Sequence, residues 1–154
     1  MMQNERVSLD TILIIGISVR TSNKNNQAQR DISQLWGRFI LNNIANSIPN
    51  KISDEIYCVY TDYESDHTGD YTTILGCLVS DTSSIPEEMV IKEIPQSDYF
   101  KFISEGKLPE SVAQTWSFIW QSDYNRSYIA DFEVYGVAAQ NPDNAIVATY
   151  LSIK

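Results

Sequence analysis

Ile32-Ser33-Gln34-Leu35-Trp36 and Val112-Ala113-Gln114-Thr115-Trp116 open two helix-like stretches of this chain. Each is followed by two strand-like runs that carry a Val-Tyr pair, Val59-Tyr60 in the first and Val134-Tyr135 in the second. This internal duplication constrains the fold more than any other feature. Two βαββ units related by a pseudo-twofold axis place two helices side by side on one antiparallel sheet, an α+β architecture with a central groove between the repeats. With 154 residues, 43% of them hydrophobic, the chain suits one core, so the duplication reads as symmetry within a single domain. The domain is expected to span 1–154, with repeats at about 10–81 and 88–154.

The periodicities support that order. Thr11 to Thr21 alternates, with Leu13, Ile15, Ile17 and Val19 on one face and Gly16, Ser18 and Arg20 on the other, which predicts a strand with one face on a core. After the polar turn Ser22–Asn26, Ile32, Leu35, Trp36, Phe39, Ile40 and Ile44 fall on one helical face, and Pro49-Asn50 supplies a stop. Ile56–Tyr63 and Tyr71–Ser80 then read as a hairpin around the polar segment Glu64–Asp70. In the second half a strand-like stretch starts at Met89, turns at Pro95–Asp98 and continues to Gly106. A helix follows from Pro109, with Val112, Thr115, Trp116, Ile119 and Trp120 as its buried stripe, and Tyr128–Gly136 and Ala145–Ile153 close the unit as two strands.

Charge and composition exclude several functions. Eleven Lys and Arg against 20 Asp and Glu give a net charge of −9, the wrong sign for neutralising phosphates along a duplex, so direct nucleic-acid binding is not expected. No apolar run reaches the roughly 20 residues of a membrane span, and Met1–Arg6 lacks the form of a signal peptide, so a cytoplasmic location is expected. Cys58 and Cys77 lie in strand-like apolar runs and read as buried hydrophobes rather than a disulfide or metal pair. Glu64, Asp66 and Asp70 share a loop without the ligand series of an EF-hand. His67, the one histidine, is not expected to belong to a catalytic triad. Gly69 and Gly76 form no phosphate-cradling run, so no cofactor is expected.

Several stretches, in order, resemble the GyrI-like effector-binding family, the module at the end of AraC-type and MerR-type transcription activators. Ile94-Pro95-Gln96-Ser97-Asp98-Tyr99-Phe100-Lys101-Phe102 is similar to its Ile-Pro, turn, Tyr-x-x-Phe entry. Val112–Trp116 resembles its second helix, and Asp131-Phe132-Glu133-Val134-Tyr135 its Phe-Glu-x-Tyr strand. Ile56–Asp66 with Gly69–Thr72 looks most like the free-standing, integron-associated branch. The resemblance implies a hydrophobic groove that takes lipophilic, often cationic molecules, and a carboxylate at the groove floor, here Glu133. Regulatory members carry a helix-turn-helix before this module, which this sequence is not expected to contain. A regulatory role is therefore expected to need a separate transcription partner.

On strand alternation, Glu133 shares a face with Asp131 and Tyr135, while Phe132 and Val134 point the other way. Alternation alone leaves open a solvated Glu133; the resemblance puts it in the groove. An ionised carboxylate in apolar surroundings needs a partner or a raised pKa. A cationic ligand would supply that partner, with Trp36, Trp116, Trp120, Tyr60 and Tyr135 around its apolar body. Plain core packing is the alternative for each tryptophan. Two other functions stay open for the same surface. Both are implied by the resemblance, since some proteins similar to this family hydrolyse small molecules and one free-standing relative inhibits DNA gyrase: Glu133 could act as the base of a hydrolase with Tyr135 or Tyr60 as hydrogen-bond partner, or the acidic surface could face gyrase.

Overall fold

The structure, a computed structural model, describes residues 4–154. Its strands are β1 (Asn4–Leu9), β2 (Ile12–Ser22), β3 (Ile56–Thr61), β4 (Asp70–Leu78), β5 (Val90–Ile94), β6 (Ser97–Gly106), β7 (Ala130–Tyr135) and β8 (Ala145–Ile153). The helices are α1 (Gln27–Leu41), between β2 and β3, and α2 (Glu110–Trp120), between β6 and β7. All eight strands form one antiparallel sheet in the order β1-β6-β8-β7-β3-β4-β2-β5. The units β2-α1-β3-β4 and β6-α2-β7-β8 are the two repeats, and they meet where β3 pairs with β7.

The register at that seam locates the pseudo-twofold axis. Aligning Val59-Tyr60 with Val134-Tyr135 makes Cys58 the counterpart of Glu133, and these two residues are also paired directly across β3 and β7. The axis passes between them. The outer strands follow the same symmetry with an exchange: β1 precedes the first repeat but pairs with β6 of the second, and β5 precedes the second but pairs with β2 of the first. β1 has the polar start Asn4-Glu5-Arg6 and carries no alternation that would mark it as a strand.

Only Pro95 and Gln96 separate β5 from β6, although six strand-to-strand steps lie between them in the sheet order. A flat sheet would hold them roughly 29 Å apart at the usual strand spacing, whereas the three-residue step from Ile94 to Ser97 spans at most about 11 Å. The sheet therefore curls until its ends meet. Inside the curl, Ile14, Val59, Ile74, Ile94, Tyr99 and Phe132 form one core cluster. This corrects the expectation of a single buried face on β2: Ile15 and Ile17 pack under α1, while Ile14, on the opposite face, is buried as well.

On the outer face each helix packs on its own repeat. Leu35 and Phe39 of α1 join Ile15, Ile17 and Leu75 in one core, and Ile119 of α2 joins Phe102 and Leu151 in another. Burial of side chains of this size contributes about 1.5 to 3 kcal/mol each, so truncating Phe39 to Ala would cost about 3 to 5 kcal/mol. α1 ends at Leu41, before the Pro49 stop read from the sequence, because Asn43 takes a left-handed conformation (φ 53°) and Ile44–Ser47 continue only as a 3₁₀ turn. Asparagine tolerates that region better than most residues. Among the described residues no helix is long and apolar enough to cross a membrane.

Candidate functional site

Each helix presents two apolar stripes. In α1, Leu35 and Phe39 face the sheet, while Ile32, Trp36 and Ile40 line the groove; in α2, Thr115 and Ile119 are buried and Val112, Trp116 and Trp120 line it. The repeat alignment equates these two groove stripes residue for residue. Ile40, expected in the buried stripe, is 61% exposed, and Trp120 is 44% exposed. Both belong to the last turn of their helix, where the helix runs past the sheet core to the mouth of the groove.

Helices and sheet together enclose an open cavity of about 1270 Å³. Glu133, Tyr135, Tyr60, Trp36, Trp116 and Trp120 all line it. Along the seam their arrangement follows the pseudo-symmetry: Trp36 meets Tyr135 edge-on with ring centroids 4.9 Å apart, and Trp116 meets Tyr60 edge-on at 5.5 Å. Edge-to-face packing of this kind fixes ring orientation as well as burying area.

The symmetry breaks at Glu133. Its side chain is on the helix-facing side of the sheet and 2% exposed. Tyr60 Oη and Trp116 Nε1 donate to Oε2 at 2.8 and 2.7 Å, and Tyr135 Oη donates to Oε1 at 2.5 Å. None of these donors is charged, and among the described residues no Lys, Arg or His forms an ion pair with Glu133. Burial is the dominant influence on its acidity and holds the pKa above the ordinary carboxylate value, while the bonds from Tyr135, Trp116 and Tyr60 pull it partly back. Burial likewise pushes the Tyr60, Tyr135 and Cys58 protons on more tightly, with the nearby Glu133 charge adding to the effect. The tyrosines therefore remain donors and Cys58 remains a thiol.

Two residues further along β7, Asp131 is treated differently. It is fully buried and accepts from Arg126 Nη2 at 2.8 Å, Tyr63 Oη at 2.5 Å, and the Ser152 amide and hydroxyl at 2.7 and 2.9 Å. One strand thus carries two buried carboxylates on one face, the first neutralised by a buried guanidinium and the second without a cation. Sequence reading placed Asp131 on the face of Glu133 but did not find Arg126, which lies outside the regular elements where periodicity says nothing. The loop after β3 closes one end of the groove. His67 stacks on Trp120 at 6.2 Å, and the loop carboxylate Asp66 accepts bonds from Thr68 within its own turn.

Fold and site define an effector-binding module of the GyrI-like type, in which two repeats enclose an aromatic groove with a buried carboxylate at its floor. The sequence matches the family described as "Cass2: Integron-associated effector binding protein" over residues 6–153, and the chain belongs to that family. It is 31% identical over 151 residues to the putative transcriptional regulator protein YobU of Bacillus subtilis strain 168, covering 95% of this chain and 94% of that protein. A Vibrio cholerae integron cassette protein has a similar structure, with a TM-score of 0.75 at 25% identity over 98% of this chain and 95% of that one. The SAV2435 protein bound to tetraphenylphosphonium shares the fold, with a TM-score of 0.82 at 18% identity over 99% and 94% of the two chains.

Proposed function

We propose that this protein binds lipophilic organic cations in the groove, with Glu133 as the fixed counter-charge and Trp36, Trp116, Trp120, Tyr60 and Tyr135 around the apolar body. The observation that carries this reading is a buried carboxylate held by three neutral donors and no cation. Retaining a charge in such a place is costly; a lipophilic cation offsets that cost and loses little hydration of its own. Aromatic faces add cation-π attraction of about 0.5 to 2 kcal/mol per contact, and apolar burial supplies the rest of the affinity. The bound ligand of the SAV2435 protein is a cation of this class, which supports the same class here. Membership of an effector-binding family, and likeness to a protein named as a transcriptional regulator, support a sensing role. With a net charge of −9, the chain would pass its signal through another component rather than touch nucleic acid itself.

The test is a titration of tryptophan fluorescence with tetraphenylphosphonium and with neutral triphenylphosphine oxide, on wild type and Glu133→Gln. The reading expects the substitution to weaken the cation by about 2 to 5 kcal/mol and the neutral compound far less. Equal losses for both would remove the charge pairing.

A further inference from the structure

Arg126 is 7% exposed and lines the same cavity as Glu133. Only Nη2 is engaged, by Asp131; Nε and Nη1 are buried and have no hydrogen-bond partner among the described residues. The guanidinium lies 4.3 Å from the Tyr128 ring and 5.9 Å from the Trp116 ring. Trp116 is the residue whose Nε1 holds Glu133, so one indole separates the two charged groups. Tyr128 is itself held at φ 55°, a conformation that costs a tyrosine energy and recurs in ligand clamps. Tyr128 is half-buried, and its ring covers the guanidinium on one side.

Buried donors without acceptors are unfavourable by about 1 to 3 kcal/mol each, and the fold leaves two of them on one side chain at the cavity wall. Asp131 already neutralises Arg126, so the vicinity needs an acceptor rather than a second full charge, although an anionic oxygen makes the stronger bond. We propose that Arg126 is a second recognition point of the groove, which selects cations that also carry an oxygen acceptor over cations that are purely hydrocarbon. Asp131 and Glu133 are two residues apart on β7, roughly 7 Å by strand rise. A cationic centre at Glu133 and an oxygen at Arg126 can therefore belong to one small molecule.

The inference rests on cation binding at Glu133, and the test separates the two. Butyltriphenylphosphonium and carboxypropyltriphenylphosphonium, matched in shape, are titrated into wild type and Arg126→Lys, whose ammonium can still neutralise Asp131 but which lacks the guanidinium edge. Wild type is expected to bind the carboxylate-bearing cation at least about fivefold more tightly, and the preference is expected to fall within about twofold in the variant. Should Arg126→Lys not fold, the Arg126 Nε–Hε resonance of wild type decides: it moves downfield with the carboxypropyl compound and not with the butyl one. Binding of the butyl cation with no gain from the carboxylate, or a preference that survives in the variant, overturns the role of Arg126 alone. Failure of both cations to bind overturns the cation reading and this inference with it.

Discussion

Cys58 and Glu133 occupy the same position in the two repeats and face each other across the seam of the sheet. The duplication could have placed two carboxylates on the axis; it places one, opposite a buried thiol. Two acids this close would share a proton, and neither would carry a dependable charge. A single carboxylate with three neutral donors avoids that sharing, and the tyrosines that are equivalent by symmetry, Tyr60 and Tyr135, reach it from opposite halves.

Glu133 is expected to lower the stability of the fold at neutral pH. Its folded pKa is raised above the unfolded value, so the fold favours the protonated form: its contribution is full below the unfolded pKa and is lost as pH rises through the folded one. Glu133→Gln should therefore unfold at higher denaturant than wild type at neutral pH, by about 1 to 2 kcal/mol, even as it loses cation binding. Urea melts across pH should show the difference shrinking on acidification. A variant less stable than wild type at every pH would contradict this.

The same raised pKa sets the pH response of binding. Tetraphenylphosphonium does not titrate, so any pH dependence belongs to the protein. Affinity should be level above the Glu133 pKa and fall about tenfold per pH unit below it, with the onset shifted upward from that of an unburied glutamate. In Glu133→Gln the profile should be flat, as isothermal calorimetry at several pH values would show.

Arg126 and Asp131 form a buried pair whose separation is costly. Removing one partner, as in Asp131→Leu or Arg126→Leu, should lower stability by about 3 to 5 kcal/mol, because the other charge is left in the core. The double replacement should recover a large part of the loss, giving a coupling measurable by a double-mutant cycle in chemical denaturation. Additive losses would mean that the pair contributes nothing beyond its separate contacts.

Gly16 and Gly76 pair across β2 and β4, and a Cβ on Gly76 would fall 2.1 Å from the Ile15 carbonyl oxygen. The two backbones approach too closely there to admit a side chain on either residue. Gly76→Ala should cost about 2 to 4 kcal/mol, whereas Gly37→Ala, on α1 with open space around its Cα, should be neutral or stabilising. Thermal melts of the two variants separate the packing effect from the general effect of losing a glycine.

Local pattern made the repeats legible, because helix and strand periods are written in neighbouring residues: Ala145–Ile153 forms a strand with those bounds, and Trp36 and Trp116 lie where their helical spacing puts them. What was hidden depends on residues far apart in the chain. Alternation along β2 could not show that Ile14 is buried by Ile94 and Tyr99 from across the curl. Ile40 keeps its helical spacing, yet its exposure is decided by where the sheet ends. Cation pairing at Asp131 and its absence at Glu133 follow from Arg126, a loop residue with no periodic signature. Which of two carboxylates on one strand is left uncompensated could not be read from the strand.

The exchange of β1 and β5 makes each half dependent on the other for its outermost strand. Neither repeat owns a complete sheet, so the chain has the topology of a strand-swapped dimer whose halves are joined through the segment between β4 and β5. The groove lies on the axis between the repeats, and neither repeat alone supplies all of its walls. Duplication thus yields one groove per pair of repeats, and lets the two copies differ at the axis itself, where a symmetric dimer would place the same residue twice.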